Sequence, residues 1–150
     1  MKLLFALGLL LIFTSTPLAF SIQSDENSLT WPNELAAASQ TQIQDIQGNE
    51  LAYVLVDQQV LIVADVTNAL DKQQPFTYIV QIQDNDGVVV SLGWLSGSLA
   101  PNQILSPALS WIPQYPGVYN AAVFVWEGID NPSALSHPLS LDIEVRHAET

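Results

Sequence analysis

Short apolar segments with a two-residue period dominate the chain from about Thr41 onward. In the clearest of them, apolar residues occupy every second position of Val60–Thr67 and of Phe76–Gln83. Because successive side chains of a strand point to opposite faces, this period predicts half-buried β-strands. Turn residues such as Asp84–Gly87 separate the segments, and no helical period competes with them after residue 40. The pattern predicts an all-β fold of seven to eight short strands.

The segment Trp111–Trp126 narrows the fold class. A Pro-Gly turn leads directly to Tyr119 and an apolar strand. Immunoglobulin-type sandwiches enter their F strand in this way, and the tyrosine hydroxyl bonds to upstream backbone. Where antibody domains place a cysteine two residues later, this chain has Ala121, and it contains no cysteine at all. The segment predicts a single immunoglobulin-like sandwich without a disulfide. The residues expected in its core are Trp111, Tyr119, Ala121 and Val123.

Three segments, Gln59–Asn68, Tyr78–Gly87 and Trp111–Trp126, resemble secreted immunoglobulin-like modules of archaeal surface proteins. The similarity is greatest to modules of ammonia-oxidising archaea and covers roughly residues 41–145. It implies an immunoglobulin-like sandwich that is exported to the cell surface. The matching motifs are structural, so the resemblance implies little about a biochemical role.

The N-terminal residues have the features of a secretory signal peptide. A short basic start precedes the apolar run Leu3–Phe13, and small and turn-forming residues follow it. We expect cleavage before Ile22, after which nothing in the chain inserts into a membrane; retention as an anchor is the alternative. The predicted organisation is a signal peptide (1–21), a polar linker (22–40), the sandwich (41–147) and a short tail (148–150).

Within the linker, Asn33–Ala38 is expected to form about one helical turn. Trp31 is unusual in so polar a segment, and we expect it to pack on the surface of the sandwich.

The chain is strongly acidic, with a net charge of −12. Such a surface repels nucleic-acid phosphates and anionic lipid headgroups. The expected partner is therefore another surface protein or a component of the cell envelope. The oligomeric state is open.

Two groups of residues resemble metal sites. Asp84-Asn85-Asp86-Gly87 begins like a calcium loop, but the later ligand positions hold Val88 and Leu95, and the same residues suit a hairpin turn. His137 and His147 flank the last predicted strand, which makes convergence on one metal ion difficult. The sequence predicts no metal and no cofactor.

Catalytic motifs are equally weak. The segment Gly93-Trp-Leu-Ser-Gly97 places its serine one position late for a nucleophile elbow. There is no cysteine nucleophile, and the acidic residues do not recur with aromatics on one strand face. We predict that the protein is not an enzyme.

One strand face is unusual for a solvated surface. If Tyr119 points inward, then Phe124 and Trp126 point outward, and Ile79 of a partner strand lies beside them. Exposed apolar patches of this kind often bind a partner. Alternatively, the linker with Trp31 or the loop Glu127–Pro138 covers the patch.

Three functions remain open. The first is a non-catalytic surface module for adhesion, envelope attachment or protein contact. The second is a pilus or fibre subunit in which residues 22–40 add a strand to a neighbour's sheet. The third is a carbohydrate-binding module that uses Trp94 and Trp111, although their alternation predicts that both lie in the core.

Overall fold

The computed structural model describes residues 34–148, which fold into nine β-strands in two sheets. Seven of these strands have four or more residues and two have only two, which confirms the predicted all-β class. Within the described residues no helix is long and apolar enough to cross a membrane. The strands are β1 (Ala36–Gln44), β2 (Val54–Leu55), β3 (Val60–Asn68), β4 (Gln74–Gln83), β5 (Val89–Leu99), β6 (Ile104–Leu105), β7 (Ala108–Trp111), β8 (Gly117–Trp126) and β9 (Leu139–Arg146).

The two sheets differ in their order and in their edges. In the four-stranded sheet, β3 pairs with β1 on one side and with both β6 and β7 on the other. The five-stranded sheet has the order β2-β9-β8-β4-β5, so β5 forms one of its outer strands. All of its pairings are antiparallel except the short β2–β9 contact.

The core lies between the sheets and is filled by the alternating positions that the sequence pattern predicts. The inward residues of β4, from Phe76 to Ile82, are buried, and so are the inward residues of β8 from Tyr119 to Val125. Tyr78 is completely enclosed, and its hydroxyl lies 3.3 Å from the Ile62 carbonyl oxygen. Burial of these apolar faces drives the two sheets together.

The sandwich begins earlier than the sequence predicts. Strand β1 starts at Ala36, whereas the linker was expected to extend to residue 40 with a helical turn over Asn33–Ala38. Ala36 pairs with Asn68 of β3, and both Ala36 and Ala38 are buried. Pairing with β3 outweighs the helix propensity of alanine because it satisfies the backbone and also buries the side chains. The predicted signal peptide, Trp31 and residues 149–150 lie outside the described residues.

A buried asparagine closes one end of the sandwich. The Asn68 side-chain amide donates to the carbonyl oxygens of Lys72 (2.8 Å) and Ala100 (2.9 Å), and its Oδ1 accepts from the Leu70 amide (3.0 Å). These bonds connect the loop after β3 to the end of β5. Because each polar atom of this buried side chain has partners, its burial is tolerated.

Candidate functional site: the outer face of the five-stranded sheet

Strand register brings together the residues that the sequence places on an outward face. Ile79 of β4 lies opposite Phe124 of β8 on one side and opposite Trp94 of β5 on the other. The Phe124 and Trp126 rings, two residues apart on β8, have centroids 6.2 Å apart. Ile79, Trp94, Phe124 and Trp126 therefore form one apolar cluster, called here the outer aromatic face.

The exposure of this face differs from the sequence-based expectation. Ile79 was expected to contribute exposed surface, but it is only 6% exposed. Its cross-strand neighbours are Trp94 and Phe124, and large aromatic rings on either side of a residue can cover it. Phe124 and Trp126 are half-buried. The accessible surface of the cluster is therefore aromatic, and Ile79 serves as the floor beneath it.

The predicted core position of Trp94 is wrong. The alternation of β5 predicted a core position, yet Trp94 is 56% exposed and faces outward. The inward positions of β5 are Ser91, Gly93, Leu95 and Gly97, as their pairing with the inward residues of β4 shows. A Cβ atom at position 97 would lie 3.0 Å from the Phe76 ring, so a larger residue than glycine would crowd that ring. The small residues at alternate positions of β5 are the feature of the sequence that could have indicated that its larger residues face solvent.

Strand β5 extends the apolar surface beyond the predicted cluster. Leu92, two residues before Trp94, is also 56% exposed, and Val88, Val89 and Val90 are exposed as well. The sequence predicts a strand at Val88–Leu95, but it does not reveal that, among the described strands, β5 has only β4 as a neighbour in its sheet. The position of β5 at the edge explains why so many apolar side chains are accessible.

Part of the loop Glu127–Pro138, the alternative cover for the patch, runs beside β8. The Leu135 amide donates to the Val125 carbonyl oxygen (2.8 Å), and Trp126 forms a bridge with Ala134. These contacts place residues 133–135 next to β8, on the side where β9 pairs with it, because β4 occupies the other side. This part of the loop therefore borders Trp126 within the sheet. The first part of the loop, Glu127–Asn131, lies near Thr77 and Ser96. The second expected cover, Trp31, lies outside the described residues.

The proposed tyrosine corner has well-defined geometry. The Tyr119 hydroxyl donates to the Tyr115 carbonyl oxygen at 2.9 Å, four residues upstream. The Tyr119 and Trp111 rings pack edge to face with centroids 5.1 Å apart. Trp111, Tyr119, Ala121 and Val123 are all buried. These residues form the interior support of β8, whose opposite side carries the aromatic face.

A comparison with known families decides what kind of module this is. The family model described as S-layer A-like (SlaA-like) matches residues 33–143. The chain belongs to the S-layer A-like family. The match spans nearly the whole described sandwich, so the outer aromatic face is a feature of an S-layer A-like, surface-protein module. The similarity to ammonia-oxidising archaea stays a prediction. No curated protein sequence matches the chain.

Solved structures similar to this S-layer A-like module show the same fold at low sequence identity. The C-terminal domain of wzt has a TM-score of 0.62 and 15% identity, with 79% of this chain and 78% of that chain covered. A CARDB domain from Pyrococcus furiosus, solved in complex with di-metal ions, has a TM-score of 0.53 and 18% identity, with 78% and 99% covered.

A β-glucuronidase from Bacteroides uniformis also has a TM-score of 0.60 at 10% identity. The match covers 73% of this chain but only 14% of the enzyme. At these identities the likeness concerns the fold alone, and it confirms the immunoglobulin-like sandwich.

Several acidic and basic side chains of the S-layer A-like module have structural partners. The Asp84 carboxylate accepts from the backbone amides of Asp86 (3.0 Å) and Val88 (2.9 Å) and thereby organises the hairpin turn. Arg146 donates to both carboxylate oxygens of Glu144, which holds the pKa of Glu144 below its usual range. Among residues 34–148, no three His, Cys, Asp or Glu side chains are grouped to hold a metal ion.

The two histidines lie at opposite ends of β9. His137 precedes the strand and its ring Nδ1 contacts the Glu34 carboxylate, whereas His147 follows the strand beside Tyr53. The Glu34 contact fastens the start of the described chain to the loop before β9.

Proposed function

We propose that this chain is a non-catalytic, exported module of the cell envelope that attaches to another envelope protein through its outer aromatic face. The observation that carries the proposal is an aromatic cluster on the solvent side of a sheet in a member of the S-layer A-like family. A solvated sheet face is normally polar in alternation with the core face. An apolar cluster there is typical of an interaction surface.

The chemistry of the face supports a protein partner. None of its four residues is charged, and its neighbours in register are the uncharged residues Thr77, Gln81 and Ala122. Burial of a few hundred Å² of this surface would contribute several kcal/mol, at roughly 25 cal/mol per Å² of apolar area. After the entropy cost of association, this is enough for a specific but modest contact.

The net charge of −12 supports the same choice of partner. The charge repels nucleic acids and anionic membranes, while an uncharged aromatic face can bind a protein surface without unpaired buried charges.

A non-catalytic role agrees with the use of the polar groups. Asp84 organises a turn, Glu144 pairs with Arg146, and Glu34 contacts His137. Each of these side chains serves the local structure and lies apart from the aromatic face.

The strand-donation alternative is less well supported. It requires residues 22–40 to leave their own domain and pair with a neighbour. The described part of that segment, from Ala36, pairs with β3 of its own chain and buries Ala36 and Ala38 in the core. Removing it would open the four-stranded sheet.

The carbohydrate alternative has no support from the two tryptophans that suggested it. Trp111 is buried on the inner side of the four-stranded sheet, and Trp94 lies on the outer side of the other sheet. They do not form a common binding surface.

Attachment of purified protein to stripped native envelopes tests the proposal. We expect Trp94→Ser to weaken cosedimentation with the envelopes at least tenfold, because it removes the most exposed ring of the face. Ile104→Ser is the matched control, since Ile104 is an exposed apolar residue on the other sheet. Equal attachment of both variants and the unmodified chain would contradict the proposal, provided that urea unfolding shows all three to be folded.

A further inference from the structure

Among residues 34–148, no strand pairs with the outer edge of β5. Strand β5 has eleven residues and, within the described part of the chain, pairs only with β4. Its edge backbone groups can therefore hydrogen-bond to another strand. An accessible edge of this length is a template for intermolecular pairing.

The pairing of β5 with β4 shows which amide and carbonyl groups of β5 point toward the outer edge. Pro75 has no amide hydrogen, and it lies opposite Ser98, which indicates a pair that exchanges no backbone hydrogen bonds. The Thr77 and Ser96 hydroxyl oxygens lie only 2.8 Å apart, as expected where side chains of such a pair approach closely. Since pair types alternate, the amide and carbonyl groups of Leu92, Trp94, Ser96 and Ser98 point away from β4 and toward the open edge.

Strand β5 lacks three features that protect many edges, namely charge, proline and a central bulge. The segment Val88–Leu99 contains no charged residue and no proline. Its pairing with β4 is continuous from Ser91 to Leu99, and the single irregularity lies at the hairpin end, between Ile82 and Gln83. In a chain with so many acidic residues, an uncharged stretch of this length at an open edge is notable.

The opposite sheet offers a contrasting edge. Strand β1 also lies at the end of its sheet, but its register shifts between Ser39 and Gln42, and Gln40 has a positive φ of 56°. A bulge of this kind twists an edge away from a flat partner. A β1 edge therefore matches β5 poorly, whereas a second β5 edge matches it well.

We propose that β5 pairs antiparallel with β5 of a second copy of this chain around a two-fold axis, joining two five-stranded sheets into one. The outward groups of Leu92, Trp94, Ser96 and Ser98 then donate and accept across the junction. Because such a contact uses the same patch twice, it closes at a dimer and does not continue into a fibre. This inference goes beyond the proposed function and does not depend on it.

The uncharged edge favours a second copy as the occupant. It offers no carboxylate with which a basic strand could pair, whereas another β5 adds no charge to the junction. The two copies still repel each other at long range, because each carries a net charge of −12. Salt screens that repulsion, with a Debye length of about 10 Å at 0.1 M and about 3 Å at 1 M. The dimer is therefore stronger at high salt, while binding of a basic partner would weaken.

The test compares Ser96→Pro with Ser96→Ala in the full chain by sedimentation velocity over a concentration series at 0.1 M and 1 M NaCl. Both variants lose the hydroxyl contact with Thr77, but only proline removes the outward amide hydrogen. We expect the unmodified chain and Ser96→Ala to dimerise, with a dissociation constant at least tenfold lower at 1 M salt. Ser96→Pro is expected to sediment as a monomer at concentrations where Ser96→Ala is a dimer.

A second measurement keeps the test decisive if Ser96→Pro fails to fold. In the unmodified chain, the amides of Trp94 and Ser96 should exchange with deuterium at least tenfold more slowly as the concentration rises through the dimer transition. A monomer at every concentration and salt, filaments, equal dimerisation of both variants, or amides whose exchange ignores concentration would each overturn the proposal. None of these results affects the envelope attachment measured with Trp94→Ser and Ile104→Ser.

Discussion

At the scale of single residues, the structure assigns much of the sandwich's specificity to a few polar atoms buried in an apolar core. The Tyr119 hydroxyl bonds to the Tyr115 carbonyl oxygen, the Tyr78 hydroxyl reaches the Ile62 carbonyl oxygen, and the Asn68 amide connects two loops. Each of these polar groups meets its hydrogen-bond partner only in the native arrangement. The apolar residues make collapse favourable, and these polar atoms select one register among the alternatives.

Removing the Tyr119 hydroxyl should weaken the fold without changing it. We expect Tyr119→Phe to lower the free energy of unfolding by about 1 kcal/mol, the usual net contribution of one hydrogen bond. The ring still packs against Trp111, so the loss is limited to the bond with Tyr115. Equilibrium unfolding in urea measures it, and Tyr115→Phe, which keeps the backbone carbonyl acceptor, is the control. A stability within error of the unmodified chain would show that the corner does not support β8.

Because Tyr78 is buried, we expect the fold to lose stability at alkaline pH. Burial raises the pKa of Tyr78 well above its usual range. The unfolded chain releases this proton near pH 10, whereas the folded chain retains it, so stability is full below about pH 10 and falls as the pH rises further. Tyr78→Phe removes this dependence, although it also leaves the Ile62 carbonyl oxygen without its partner. Urea unfolding at pH 9 and above measures how the free energy of unfolding of each chain changes with pH. Equal changes in the unmodified chain and in Tyr78→Phe would contradict the assignment.

At the scale of strands, some features of the fold follow from local sequence and others depend on neighbours. The two-residue period of Val60–Thr67 and Phe76–Gln83 predicts β3 and β4 because both strands are central and one face is fully buried. The orientation of Trp94 is not predictable in this way, since it depends on the register of β5 with β4, which places Trp94 opposite the outward Ile79. The start of β1 at Ala36 likewise depends on pairing with a strand far along the chain.

The same dependence on neighbours limits the prediction of the site. Phe124 and Trp126 are identified from the sequence as outward residues because they alternate with the apolar core positions of β8. The predicted exposure of Ile79 is wrong, because Trp94 and Phe124 cover this residue only when β4, β5 and β8 are in register. The apolar edge at Leu92 was missed because strand order is not a local property.

Two glycines of β5 test the packing of that strand. A Cβ atom at position 97 would lie 3.0 Å from the Phe76 ring, whereas one at position 93 would make ordinary contacts at 3.7 Å with Leu109. We expect Gly97→Ala to destabilise the fold by about 1–3 kcal/mol through overpacking. Gly93→Ala is the matched control and should change stability much less. Thermal or urea unfolding checks both, and equal effects would mean that Phe76 does not determine the path of β5.

At the scale of the whole molecule, the acidic surface and the uncharged regions have separate roles. The net charge of −12 is expected to keep copies apart in dilute salt and to disfavour polyanionic partners. The outer aromatic face and the β5 edge interrupt that surface on adjoining parts of one sheet. A module built in this way can attach to an envelope protein with its face and join a second copy with its edge.

Hydroxyl-radical footprinting on native envelopes tests the central claim most directly, because it reports contact at named residues without changing them. Phe124 and Trp126 are the informative rings, since they lie on β8, two strands away from the β5 edge. We expect both rings to be oxidised several-fold more slowly in the envelope than in the purified protein. Tyr115, which is 70% exposed at the turn before β8, should react equally in both. Equal oxidation of Phe124 and Trp126 in the two preparations would contradict a docking role for this face.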